Sequence, residues 1–142
     1  MTHDLYLSLG SNLGDRAANI RAALSHIDDK IGSVYRVATP VRSQPSGYHS
    51  PNHYLNTVCL VHTMMSPRRI LQETQAIEVA MGRRHKTATA PDGTPLYTDR
   101  IIDIDILLYD DLTLATPQLT IPHPRMHQRD FVMQPLREIQ EK

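Results

Sequence analysis

Residues 101–108 read Ile-Ile-Asp-Ile-Asp-Ile-Leu-Leu, and this alternation constrains the fold more than any other part of the chain. Successive side chains of a β-strand point to opposite faces of a sheet. A strand here therefore turns its isoleucines toward a core and turns Asp103 and Asp105 toward the other face. Because Asp is depleted in strands, two aspartates inside an apolar run require an explanation.

Two explanations are open for this carboxylate pair. Along a strand the two residues lie roughly 6.5–7 Å apart, and carboxylates at that spacing can hold two hard cations, which lie about 3.5–4 Å apart in two-metal sites. The alternative is a half-exposed edge strand whose aspartates are solvated. The oxygen ligands favour Mg²⁺ over zinc, and the rarity of Asp in strands favours the metal site.

The order of predicted elements is strand, helix, strand, strand, helix, strand. Ser66 can cap the second helix, Pro67 suits its first turn and Gly82 suits the position just beyond its end. This order predicts an α+β ferredoxin-like sandwich, a βαββαβ core in which helices pack on an antiparallel sheet. We expect a single domain over residues 1–142, with a short extended piece at 112–121, a final short helix, and a long polar loop at 83–100 that serves the active site.

Composition excludes several classes of protein. Fifteen Lys and Arg balance fifteen Asp and Glu, which argues against a nucleic-acid binder held by phosphate attraction. A lone cysteine excludes a disulfide framework. No apolar run approaches the roughly 20 residues that span a bilayer, and the N-terminus does not read as a signal peptide. We therefore expect a cytoplasmic protein with no membrane, nucleic-acid or obligate protein partner.

Cationic and imidazole side chains accompany the carboxylate pair in the sequence. Arg100 immediately precedes the predicted strand, and His123 and Arg129 follow it. Each alone is more often a surface residue. Beside acidic metal ligands, however, they indicate polyphosphate chemistry, in which cations clamp phosphate oxygens and neutralise developing charge.

Five motifs together resemble one enzyme family over essentially the whole chain. They are LSLGSNLGD at 7–15, YLN at 54–56, EVAMGR at 78–83, RIIDIDILL at 100–108 and IPHPRMHQRDFV at 121–132. The family is the 6-hydroxymethyl-7,8-dihydropterin pyrophosphokinases of folate biosynthesis. The resemblance implies a ferredoxin-like transferase that uses ATP and two Mg²⁺ ions. It also implies transfer of the β,γ-pyrophosphoryl group to the pterin hydroxymethyl oxygen, with release of AMP.

The resemblance also assigns roles to individual positions. Asp103 and Asp105 would be the metal ligands, and the catalytic set would be Asp103, Asp105, Arg83 and Arg100. The nucleotide-binding set would be Gln75, Glu78, Arg84, Arg100, Ile106, Thr120, His123 and Arg129. The pterin-binding set would be Ser43, Gln44, Ser46, Tyr54, Asn56, Tyr97 and Phe131. Within it Asn56 would read the ring by hydrogen bonds, while Tyr54 and Phe131 would form its walls.

Some positions depart from the family pattern. Tyr97 stands where members often carry Trp, and His85 stands where a second loop Arg is common. Two other functions remain open on the sequence: a different Mg²⁺-dependent phosphotransferase or nucleotide hydrolase, and a catalytically silent pterin- or nucleotide-binding protein. Release of AMP that depends on the pterin separates the first from a pyrophosphokinase, and the intact pair of Asp103 and Asp105 argues against the second, since binding alone would not require it.

Overall fold

A computed structural model describes residues 1–44, 52–82 and 100–140, together with the backbone of 88–89 and 95–96. The predicted loop at 83–100 therefore falls largely outside the described residues, and its role stays a prediction. The same holds for four predicted site residues: Ser46, Arg83, Arg84 and Tyr97.

The described chain forms the following elements. The strands are β1 His3–Ser11, β2 Ser33–Val37, β3 Val41–Ser43, β4 Tyr54–Thr63, β5 Ala88–Thr89, β6 Pro95–Leu96, β7 Asp103–Tyr109, β8 Leu114–Ala115 and β9 Thr120–Ile121. The helices are α1 Arg16–Lys30, α2 Pro67–Ala80 and α3 Asp130–Gln140, with a 3₁₀ turn at Met126–Gln128. The predicted extended piece at 112–121 is the β8–β9 hairpin.

The main sheet has the strand order β2-β4-β1-β7, and β3 pairs with β4 beside β2. Every pairing in it is antiparallel. Helix α1 connects β1 to β2 and α2 connects β4 to β7, so the two βαβ units interleave and place β1 and β4 side by side. This arrangement confirms the predicted α+β ferredoxin-like sandwich.

Local signals set the starts of the first two helices. The Asp15 carboxylate accepts a hydrogen bond from the Ala18 backbone N–H at the start of α1 (3.1 Å). At the start of α2 the Ser66 hydroxyl accepts from the Arg69 N–H (3.3 Å), with Pro67 in the first turn. Each cap satisfies a backbone donor that has no partner inside the helix.

Both faces of the sheet carry an apolar cluster. On one face the strands pack against α1 and α2 through fully buried residues such as Leu7, Ile27 and Ile77. On the other face Val58 and Leu107 pack against Leu136 of α3. Within the described residues, no helix has the length and apolar character that crossing a bilayer requires.

Candidate functional site

A cavity of about 540 Å³ opens where β1, β4 and β7 meet α2, α3 and the segment between β8 and α3. It brings together every predicted site residue that the structure describes. These are Ser43, Gln44, Tyr54, Asn56, Gln75, Glu78, Arg100, Asp103, Asp105, Ile106, Thr120, His123, Arg129 and Phe131. Residues far apart in sequence thus share one surface, although their roles remain predictions.

The β7 strand places its side chains as the alternation predicts. Ile102, Ile104 and Ile106 are at most 6% exposed and belong to the core under α1 and α2. Asp103 and Asp105 are half-buried and line the cavity. The two carboxylates thus line the cavity together with other charged groups, on the strand that forms the edge of the sheet.

Negative charge is concentrated around Asp105. Burial, followed by the neighbouring carboxylates of Asp103 and Glu78, raises the pKa of Asp105 from 3.8 to about 7, against the lowering effect of Arg129 and Arg100. Bringing a cation close to the carboxylates would offset this repulsion and favour the ionised form. The charge pattern therefore suits a bound cation.

Glu78 is fixed at the edge of the sheet by a backbone contact. It is 5% exposed, and its Oε2 atom accepts a hydrogen bond from the Ile104 backbone N–H (2.9 Å). Ile104 lies between the two aspartates on β7, which is the edge strand. Glu78 thus holds α2 against the strand segment that carries both carboxylates.

Arg100 is held by both its backbone and its side chain. Its Nη1 atom pairs with Asp103 Oδ1 at 3.2 Å, and its side chain is 14% exposed. Its backbone N–H donates to Asn12 Oδ1 (2.6 Å), and its carbonyl accepts from the Asn12 backbone N–H (3.0 Å). Asn12 Nδ2 also donates to the Asn52 carbonyl (3.2 Å). The loop after β1 therefore fixes the residue that enters β7.

His123 faces the cavity as a neutral ring. Burial, followed by the charges of Arg129 and Arg125, lowers its pKa below the usual 6.5. The Arg125 backbone N–H donates to His123 Nδ1 (3.2 Å), which leaves the ring proton on Nε2. His123 is therefore a neutral ring that can donate a hydrogen bond from Nε2 at pH 7.

The other end of the cavity carries a buried amide and two aromatic side chains. Asn56 is 6% exposed, and its Nδ2 atom donates to the Val41 carbonyl (3.1 Å) and to Ser43 Oγ (2.9 Å). Both of its donors are occupied, so the Oδ1 atom is the part of the amide left to accept a further hydrogen bond. Tyr54 and Phe131 also line this end, and the Arg129 guanidinium lies 5.8 Å from the Phe131 ring centre.

The cavity also contains residues that the sequence did not single out. Ser8, Gly10 and Arg125 line it. Asn12 does not line the cavity but holds the backbone of Arg100, which does. Gly10 and Asn12 belong to the LSLGSNLGD motif. The sequence alone does not show which residues of this motif contribute to the site. Only the pairing of β1 with both β4 and β7 reveals which of them face the cavity.

The donor set limits the metal that could bind. Within the described residues, no group of three or more His, Cys, Asp or Glu side chains is arranged to hold a metal. Two carboxylates on one strand instead suit Mg²⁺, which keeps several waters and takes further oxygens from substrate phosphates. Asp103 and Asp105 therefore fit Mg²⁺ bound together with a phosphate substrate.

Comparison with known proteins points to one family. Residues 6–141 match the family model for 7,8-dihydro-6-hydroxymethylpterin-pyrophosphokinase. A pyrophosphokinase for 2-amino-4-hydroxy-6-hydroxymethyldihydropteridine from Porphyromonas gingivalis is 41% identical over 136 residues, covering 95% of this chain and 89% of that protein. The Bacillus subtilis enzyme of the same name is 35% identical over 140 residues, covering 98% and 79%.

Solved structures agree on the fold. A crystal structure of Plasmodium falciparum HPPK-DHPS superposes with a TM-score of 0.71 at 16% identity, over 96% of this chain and 40% of that chain. The family model and the sequence identities of the relatives show the family as well as the fold. The chain belongs to the 7,8-dihydro-6-hydroxymethylpterin-pyrophosphokinase family.

Proposed function

We propose that this chain transfers a pyrophosphoryl group from ATP to the hydroxymethyl oxygen of 6-hydroxymethyl-7,8-dihydropterin, a step of folate biosynthesis. The hydroxymethyl oxygen forms a bond to the β-phosphorus while the bond from that phosphorus to the α,β-bridging oxygen breaks. AMP leaves with the bridging oxygen, and the hydroxyl proton is released. One observation carries the proposal: a single cavity is lined both by charged side chains, which suit a polyphosphate, and by an amide with aromatic side chains, which suit a flat ring.

At the charged end, Asp103 and Asp105 would hold two Mg²⁺ ions. When bound, these ions neutralise phosphate charge and polarise the transferred group. We propose that Arg100 and Arg129, which line the cavity, bind phosphate oxygens and that His123 offers its Nε2–H as a neutral donor. From the sequence, we propose Arg83 as a further catalytic cation and Arg84 as a further nucleotide-binding one. The protein's contribution is thus binding and orientation rather than covalent chemistry.

At the ring end, the pterin would lie between Tyr54 and Phe131. Stacking on Phe131 and acceptance of a ring N–H by Asn56 Oδ1 would fix its orientation. Ser43 keeps the amide turned that way by accepting from Nδ2 (2.9 Å). The hydroxymethyl arm would then extend toward the carboxylates. Holding both substrates in this geometry removes much of the entropic cost of bringing them together.

The decisive experiment measures AMP release from ATP and Mg²⁺ with and without the hydroxymethyldihydropterin. We expect release only when the pterin is present. Release without pterin would indicate a nucleotide hydrolase, and binding of both substrates without release would indicate a silent binding protein. Either outcome would refute the proposal.

Variants of the carboxylates test the charged end. Asp103→Ala and Asp105→Ala should each lose most turnover, at least about 100-fold, because each removes a metal ligand. Asp111→Ala is the matched control, since Asp111 is exposed, lies just beyond β7 and does not line the cavity. Circular dichroism should show all three variants folded. Near-wild-type turnover in either cavity variant would contradict the assignment.

A further inference from the structure

Gly10 lines the cavity from β1, the strand that lies between β4 and β7. Its register partner on β4 is Asn56, and its register partner on β7 is Asp103. Directly opposite residues of antiparallel strands place their side chains on the same face. Asn56, Gly10 and Asp103 therefore form one row across the sheet. The row runs from the amide of the ring end, through a position without a side chain, to a carboxylate of the charged end.

The backbone at Gly10 does not require glycine. The described glycines with positive φ are Gly14 and Gly82, and Gly10 is not among them. A glycine inside a strand weakens it through the entropy of the unfolded chain and the loss of packing. The reason for glycine here must therefore lie in the space that a side chain would occupy.

That space is already used by the ring end. A Cβ atom at Gly10 would lie 3.2 Å from Asn56 Oδ1, 3.2 Å from Tyr54 Cδ1 and 3.6 Å from Tyr54 Cε1. These three atoms are the nearest to it, and none belongs to Asp103. Both 3.2 Å contacts, one to an oxygen and one to a carbon, are tighter than the ordinary contact range of 3.4–4 Å for a Cβ atom, so the two neighbours would have to give by a few tenths of an ångström.

Asn56 cannot retreat without loss. Its Nδ2 atom is bound on the side away from Gly10 by the Val41 carbonyl and by Ser43 Oγ, at 3.1 and 2.9 Å. Moving Oδ1 by a few tenths of an ångström would strain or break these two hydrogen bonds. The added methyl group would therefore act on the one amide atom that is left to meet the ring.

We infer that Gly10 is a positioning residue for the heterocyclic substrate: its missing side chain leaves room for Asn56 Oδ1 beside β1. Glycine at this position also leaves the surface of β1 free of a side chain between the ring contacts and Asp103. Neighbouring strands are about 4.8 Å apart, so Asn56 and Asp103 stand roughly 10 Å apart across the row. That span suits a flat two-ring heterocycle with a one-carbon hydroxymethyl arm. The inference rests on the proposed function and deepens it.

The test is Gly10→Ala in the full chain, with both substrates measured separately. We expect the KM and the directly measured Kd for hydroxymethyldihydropterin to rise at least about tenfold, in line with the cost of small misplacements in active sites. The Kd for ATP with Mg²⁺ should stay within about twofold, and kcat should fall less than KM rises. Thermal unfolding should show a folded protein, because alanine is compatible with this backbone.

A double-mutant cycle with Asn56→Ala identifies the group through which Gly10 acts. If the methyl group acts by displacing Asn56, Gly10→Ala should change pterin affinity little in the Asn56→Ala background. Independent, multiplicative effects would overturn the inference, and so would an equal loss of affinity for both substrates.

Ser43→Ala keeps the idea testable if Gly10→Ala does not fold. Removing the hydroxyl releases Asn56 Nδ2 without adding bulk to β1, and should raise pterin KM several-fold with ATP affinity unchanged. An unaltered pterin KM would overturn the inference. The proposed function fails separately, if the wild-type chain releases no AMP with pterin; the inference fails if the wild type is active and these variants match it.

Discussion

Replacing Asp105 by Asn should stabilise the metal-free protein above pH 7 while abolishing transfer. Burial and the carboxylates of Asp103 and Glu78 raise the pKa of Asp105 from 3.8 to about 7. A pKa difference of about 3 corresponds to about 4 kcal/mol at 1.36 kcal/mol for each pH unit. Because Asp105 is only half-buried and solvent screens its charge, we expect about 1–3 kcal/mol.

The effect must depend on pH in one direction. Below pH 4 the carboxyl is protonated in the folded and the unfolded chain, so its burial costs little. Between pH 4 and 7 the unfolded chain loses this proton while the folded chain keeps it, so rising pH favours unfolding. The Asp105→Asn variant has no such proton. Its stability advantage should therefore be smallest at pH 4.5, where the unfolded chain has only begun to lose this proton, and should reach its full value by pH 8.

Urea unfolding in EDTA at several values between pH 4.5 and pH 8 measures this advantage, and Asp110→Asn is the control of opposite sign. Hydrogen bonds from the Asp4 N–H and His3 hold the pKa of Asp110 below its usual value, so its substitution should destabilise the protein at pH 8. Added Mg²⁺ should stabilise the wild type more than Asp105→Asn. A gain for Asp105→Asn of equal size at pH 5 and pH 8, or a loss at pH 8, would refute the reasoning.

Three further substitutions separate binding from stability. His123→Gln should keep most ATP affinity, since it preserves a neutral donor, whereas His123→Ala should raise KM for ATP about tenfold in steady-state assays at pH 8. Asn12→Ala should lower the free energy of unfolding by about 1–3 kcal/mol, measured in urea, because the hydrogen bonds of the Asn12 side chain with the Arg100 N–H and the Asn52 carbonyl are lost. The same substitution should also lower kcat. Ser66→Ala should cost about 1 kcal/mol in the same assay with unchanged activity, because it removes only the α2 cap.

Local patterns predicted the elements that carry the site. The alternation along β7 places Ile104 in the core and Asp103 in the cavity, which follows from strand geometry alone. The start of α2 at Pro67 follows from the Ser66 cap. The ferredoxin-like order follows because the alternation of strands and helices leaves few ways to interleave two βαβ units.

Contacts between distant residues could not be predicted in the same way. Asn12 binds the backbone of Arg100, 88 residues later, and Glu78 binds the N–H of Ile104 on another element. Nothing in the local sequence specifies such partners. Helix α3 shows the same limit, because its apolar positions predict that it packs, whereas only the structure places Leu136 on the sheet face opposite α1 and α2.

The long-range contacts also explain how one cavity serves two substrates without covalent catalysis. Arg100, Asn56 and the strand between the two aspartates are each fixed by a hydrogen bond between a side chain and a backbone from a different element. Transfer between bound substrates depends on such preorganised positions. Substitutions that point into the cavity should therefore reduce turnover and leave the fold intact. Substitutions of residues that hold the cavity residues in place, such as Asn12→Ala, should reduce both turnover and stability. In these cases the same hydrogen bond stabilises the fold and positions a residue of the site.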